Sequence, residues 1–190
     1  MDQHRNITLL KIRQRGFSLM EVLVTIVIMA IGLMGLAGLQ VKVQSAETES
    51  YQRSQAILLV QDMANRISAN RKNAASYVSV NALGTADSQP PSCATLSGVA
   101  LDQCEWSLAL KGSSELQAST SAAIGAMIGA RGCVELMAGT EPPVYRVTVA
   151  WQGLSPLGTP STTCGMNQYG TETLRRAISS YVSVADLSKI

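Results

Sequence analysis

Apolar residues run almost without a break from Val22 to Leu39, a stretch in which Thr25 is the only plainly polar side chain. A run of about 18 apolar residues is long enough to cross a bilayer as a helix. Beyond it the pattern turns from continuous to periodic. Ala56, Leu59, Val60, Met63 and Ile67 recur at helical spacing, which draws one apolar stripe along an otherwise polar helix. Neither Pro nor Gly occurs between Leu39 and Leu83. The pattern therefore predicts one helix from Phe17 to about Asn70, roughly 80 Å long at 1.5 Å per residue. Two helices parted near Gly38 are the alternative.

The second half of the chain reads differently. Asn81–Ser97 is rich in Pro, Ser, Thr and Gly and predicts a loop. Asp102 followed by Glu105 has the form of a capping box that opens a helix through Trp106. A helical continuation over Ser114–Ile128 is expected, weakened by Gly112 and Gly125. Cys133–Met137 predicts a strand. Tyr145, Val147, Val149 and Trp151 alternate with Arg146, Thr148, Ala150 and Gln152, the pattern of a half-buried strand. Gly153–Gly170, with Pro156 and Pro160, predicts a long loop, and Ala177–Val184 a last strand. Three antiparallel strands packed on the long helix give an α+β fold, and no internal repeat interrupts it. The expected division is a leader over 1–16, a membrane span over 17–39, an amphipathic continuation over 40–72, and an α+β head over 73–190.

Charge gives the span a direction. Arg5, Lys11, Arg13 and Arg15 precede it against Asp2 alone. Basic flanks stay cytoplasmic, so the leader is expected inside and the bulk of the chain outside. Gly16/Phe17 is a small-residue junction placed before the apolar run. In an ordinary secretory signal the apolar region precedes the cleavage site and is discarded; here cleavage would leave it on the mature chain. An uncleaved anchor of the same orientation is the plainer alternative. Glu21 adds a carboxylate inside this segment, at a cost of about 2.5–3.5 kcal/mol at mid-bilayer and less near the interface. Once Phe17 is the first residue, its amino group lies four residues from Glu21. A neighbouring copy's carboxylate at the same depth could then pair with that amine and fix axial register.

The stretch Gly16-Phe17-Ser18-Leu19-Met20-Glu21-Val22-Leu23-Val24, behind a short basic leader, resembles the N-terminal signature of type IV pilins and pseudopilins. Ala30–Gln40 and Gln55–Ile67 resemble more narrowly the PilV minor pilins, the type IV pilus modification proteins. The close resemblance spans roughly residues 12–72. It implies that Gly16 is the last leader residue, cut by prepilin peptidase, that Phe17 is N-methylated by the same enzyme, and that Glu21 acts in subunit docking. The implied partners are prepilin peptidase, other minor pilins, the major pilin and the inner membrane, and the implied site of action is the filament tip or its priming complex. Many major pilins carry a helix-breaking Pro where this chain has Gly38; Gly32, Gly35 and Gly38 leave both local melting and close helix packing open. A pseudopilin of a type II secretion or DNA-uptake system is the alternative within the class.

Composition narrows the chemistry. The formal charge of +2 is misleading: four of 15 basic and one of 13 acidic residues lie in the leader, so the remainder carries −1. No basic face argues for nucleic acid. The single histidine, His4, is also in the leader, which takes away the commonest general base and metal ligand. No phosphate loop, nucleophile elbow or zinc spacing occurs; no enzyme activity, cofactor, metal or small-molecule substrate is expected. Cys93, Cys104, Cys133 and Cys164 all follow the span, and an even count in an exported domain points to two disulfides. Of three possible pairings, Cys93–Cys104 with Cys133–Cys164 is favoured, because the first pair lies close in sequence and brackets a loop.

Overall fold

The computed structural model describes residues 16–112 and 127–185. The leader residues Lys11, Arg13 and Arg15 and residues 114–126 of the helical continuation expected over Ser114–Ile128 lie outside them; its last residue, Ile128, opens a strand rather than ending a helix. The chain divides into two compact units, Met1–Gln44 and Ser45–Ile190.

The described part of the first unit is the start of helix α1 (Leu19–Ala69) and the three residues before it. The Ser18 carbonyl accepts the N–H groups of Glu21 at 3.0 Å and Val22 at 3.3 Å, which starts the helical ladder. Glu21 falls in the first turn, where the unpaired N–H groups favour a negative charge. No break occurs at Gly38, so the two-helix alternative does not hold. Every described residue through Gln44 is exposed.

In the second unit α1 buries Gln52, Ala56, Val60, Met63 and Ile67, a single face at steps of four or three residues. Leu59 is only partly buried. A 3-10 segment, Arg71–Tyr77, follows, then β1 (Leu83–Gly84), α2 (Gly98–Leu110), β2 (Ile128–Leu136), β3 (Val144–Gln152), a 3-10 turn at Glu172–Leu174, and β4 (Arg175–Ser183). The strands make one antiparallel sheet in the order β1-β2-β3-β4. The sequence pattern missed β1, which is two residues long and lies inside the expected loop. It placed the other three strands, with β2 beginning five residues before Cys133.

Register assigns the two faces. Cys133 pairs with Thr148, Tyr145 with Val182 and Val149 with Ile178. Ala130, Val134, Tyr145, Val147, Val149, Trp151 and Val182 meet the α1 stripe, Tyr77, Trp106 and Leu110 in one core. The expected half-buried β3 is in fact buried on both faces: Thr148 and Ala150 are fully buried. The opposite face is covered by the 153–171 loop, whose Cys164 and Tyr169 pack with Cys133 and Ala150 in a second cluster. Alternation in β3 reported which residues face the helix; it could not report a cover recruited from a distant polar loop.

Cys93 is bonded to Cys104 with the Cα atoms 5.8 Å apart, and Cys133 to Cys164 at 5.9 Å. The first bond holds the 85–97 loop on α2; the second holds the 153–171 loop on β2.

The capping box at Asp102 and Glu105 is not formed. α2 begins at Gly98, with Ser97 at the cap position making no side-chain cap bond. Both carboxylates sit inside the helix and reach α1 instead: Arg66 Nη1 donates to Asp102 at 2.9 Å and to Glu105 at 2.6 Å, while its Nε bonds Asp62 one turn earlier. The Tyr77 hydroxyl donates to the other Asp102 oxygen and accepts from Asn70 at 3.2 Å. Burial opposes the Arg66 charge, but the carboxylates of Glu105, Asp62 and Asp102 outweigh it and raise its pKa. The two carboxylates at capping spacing serve an arginine on another helix.

Trp106 sits where α1, α2 and β2 meet. Its indole N–H donates to the Leu59 carbonyl at 2.9 Å, and its ring lies over Gly132, where a Cβ would stand 2.2 Å from the ring. Gly132→Ala should therefore lower stability by about 1–3 kcal/mol, the range for overpacking a close-packed core. Denaturant midpoints of the full-length protein in detergent measure this; a midpoint equal to wild type would mean that the ring moves aside without cost.

Candidate assembly site

Gly16, Phe17 and Glu21 lie together at the start of α1, all exposed. Phe17 is 78% and Leu19 84% exposed. A Cβ built on Gly16 meets nothing within 4 Å, and the same holds at Gly32, Gly35 and Gly38. The chain's own packing therefore asks for no glycine at any of these positions. The Thr25 hydroxyl bonds the Val22 carbonyl at 2.8 Å, so the one polar side chain of the apolar run is satisfied within its own helix. The apolar window reaches a mean hydropathy of 2.6, and none of it is buried. By length and composition α1 can cross a membrane.

The second unit supplies a scaffold tied together by ionic clusters. Besides Arg66, the Asp87 side chain, 6% exposed, accepts from Ser107 at 2.6 Å, from the Gly84 N–H at 2.8 Å, from the Gln89 N–H at 3.2 Å and from Lys111. It thereby ties β1 to α2. Burial pushes its carboxyl up, but Lys111 and these donors hold it below its ordinary 3.8. Arg175, 2% exposed, makes four hydrogen bonds and an ion pair. It bonds the Glu172 carboxylate through Nε at 2.7 Å and Nη2 at 2.6 Å, and the carbonyls of Thr162, Cys164 and Pro160 at 2.6, 3.1 and 3.3 Å. It is the internal hook of the disulfide-bonded loop. Glu49 on α1 accepts from the Leu154 N–H at 3.0 Å and from Arg176 at 3.2 Å.

None of these residues stood out in the sequence. Arg175-Arg176 reads as a solvated pair, and only Glu172, three residues earlier, hints at a partner. Gln52 precedes the apolar stripe and is buried with it; its side-chain oxygen has no partner among the described residues. No grouping of three or more His, Cys, Asp or Glu suited to a metal occurs among the described residues.

Two comparisons divide the N-terminal half between them. Residues 11–37 match the model of the prokaryotic N-terminal methylation motif, and residues 38–105 match the Tt1218-like family, described as type IV pilin Tt1218. No curated protein and no solved structure matches the chain. A long apolar N-terminal helix with a small four-stranded antiparallel sheet is the type IV pilin fold, and the chain carries the methylation motif with it. Pilins are structural subunits rather than enzymes. The motif implies processing by prepilin peptidase and assembly with other pilins.

Two outcomes test the scaffold. Arg175→Lys keeps the charge but offers three donors instead of five, and each buried carbonyl left bare costs about 1–3 kcal/mol. Limited proteolysis should then cut the 153–171 loop faster than in wild type; unchanged cleavage would show the loop held without the guanidinium. The second concerns acid. The Asp87 pKa is lower in the folded than in the unfolded chain, so the stability it adds is complete above 3.8 and is lost as pH falls through the folded value. Stability should decline below about pH 4. Asp87→Asn should be less stable at neutral pH and show a shallower acid decline, measured by denaturant midpoints across pH.

Proposed function

We propose that this chain is a minor pilin of the PilV kind, made as a membrane prepilin and incorporated at the tip or priming complex of a type IV pilus. The observation that carries the reading is the wholly exposed apolar start of α1 joined to the methylation motif over residues 11–37. Such a surface is stable only in lipid or against other apolar helices. The narrower PilV reading is supported by Ala30–Gln40 and Gln55–Ile67.

In this reading the leader lies in the cytoplasm and the head in the periplasm. Prepilin peptidase cuts between Gly16 and Phe17. The open space around Gly16 supports a glycine requirement that belongs to the protease, which must fit a small residue beside the scissile bond. The new Phe17 amine is then methylated. It remains cationic, and in a neighbouring subunit it faces Glu21. In lipid both charges are costly alone and cheaper paired, so the contact selects the register at which a subunit joins.

Glu21→Ala tests this. The variant should insert and be cleaved normally, because a charge is removed from the span and the junction is untouched. Processed protein should accumulate in membranes while sheared filaments lack it. Glu21→Gln should be impaired as well, since an amide brings no counter-charge. Wild-type levels of Glu21→Ala in filaments would refute the pairing. Gly16→Ala should slow cleavage less than a bulky replacement, read from the ratio of precursor to mature chain.

A further inference from the structure

The peptide bond between Gly16 and Phe17 lies outside the helix that follows it. Gly16, Phe17 and Ser18 are exposed and non-helical, and α1 begins at Leu19. The Ser18 carbonyl accepts the first two bonds of the ladder, from the N–H groups of Glu21 and Val22. That puts Ser18 at the cap position, where serine is among the preferred residues. Among the described residues nothing accepts the N–H of Leu19 or Met20, the orphan donors of a helix start. A hydroxyl at the cap position can take the second of them.

The start of α1 is written locally. Every described residue through Gln44 is exposed, so no packing among them halts the helix at Leu19. Ser18 with Glu21 three residues later also has the order of a capping box. Asp102 and Glu105 show that this order alone proves little, because α2 has already begun at Gly98. At Ser18 the order and the observed boundary coincide.

We propose that Ser18 is a positioning residue for leader removal: it stops the helix short of the junction and keeps the Gly16–Phe17 bond open to the protease. Inside a helix a peptide carbonyl is bonded one turn ahead and the flanking side chains wind around the axis. A protease reaches such a bond only after local unwinding. The inference rests on the reading that Gly16–Phe17 is the bond cut, which the methylation-motif match over residues 11–37 supports. It gives Ser18 a task separate from that of Glu21. Ser18 acts within one chain before cleavage, and Glu21 acts between subunits after it.

The initial rate at which prepilin peptidase converts full-length precursor to mature chain in detergent tests this. Ser18→Ala should be cut up to about fivefold more slowly, the factor that corresponds to about 1 kcal/mol, the usual loss at a Ser→Ala cap. Ser18→Asn caps without a hydroxyl, and Ser18→Gly weakens a cap little; both should be cut at close to the wild-type rate. This order separates capping from recognition of the side chain by the protease. Alanine stands between glycine and serine in size, so a pocket that measures size has no reason to reject alanine alone. A pocket that reads the hydroxyl would reject asparagine and glycine as well. Ser18→Ala cut as fast as wild type, or Ser18→Asn or Ser18→Gly cut as slowly as Ser18→Ala, would overturn the proposal. A wild-type precursor left intact at Gly16–Phe17 would overturn both the proposal and the cleavage reading beneath it.

Discussion

The governing constraint is an apolar helix surface that stands exposed among the described residues. From Leu19 to Val43 the side chains of Leu23, Ile26, Ile28, Met29, Ile31, Leu33, Met34, Leu36, Leu39 and Val41 all stand largely exposed. Burying one such side chain is worth about 1.5–3 kcal/mol, so their sum exceeds what holds a typical domain together. A surface of that size must be satisfied from outside. Lipid and neighbouring helices of the same kind are the two environments that fit, and a subunit that passes from the first to the second needs nothing in its own fold to cover the helix. The three glycines have open space around them, which suits both close approach of another helix and local melting.

The second unit solves the opposite problem. It is small, and its sheet must be closed on both faces. The α1 stripe closes one. The 153–171 loop closes the other, and because that loop is polar in sequence it needs specific anchors: the Cys133–Cys164 bond, Tyr169, whose hydroxyl donates to the Gly129 carbonyl at 3.0 Å, and Arg175, bonded to Glu172 and three loop carbonyls. Arg66 and Trp106 perform the matching task between the helices. Buried charges of this kind are costly unless fully bonded, which makes the arrangement specific as well as stable.

The parts of this fold that were legible in the sequence are those written as a period. The 3.6-residue stripe of α1 and the two-residue alternation of β3 report local geometry directly. What stayed hidden depended on partners far along the chain. Asp102 and Glu105 have capping spacing, yet serve Arg66 some forty residues away. Gln52, a polar residue one turn before the stripe, is buried. β1 is too short to carry any period. Thr148 and Ala150 are buried because a loop arrives from beyond residue 153. For the N-terminal site the sequence carries the whole signal, since Gly16, Phe17 and Glu21 are recognised by their order and charge and the fold adds only that they are exposed.

The account stands most directly on what happens between Gly16 and Phe17. The intact mass of the chain, purified from membranes of cells that contain prepilin peptidase, should correspond to a protein that begins at Phe17 and carries one added methyl group at its amine. A mass that retains Met1–Gly16 in those cells would contradict it: the apolar helix would then be a plain anchor, and Glu21 would have no neighbouring amine to meet.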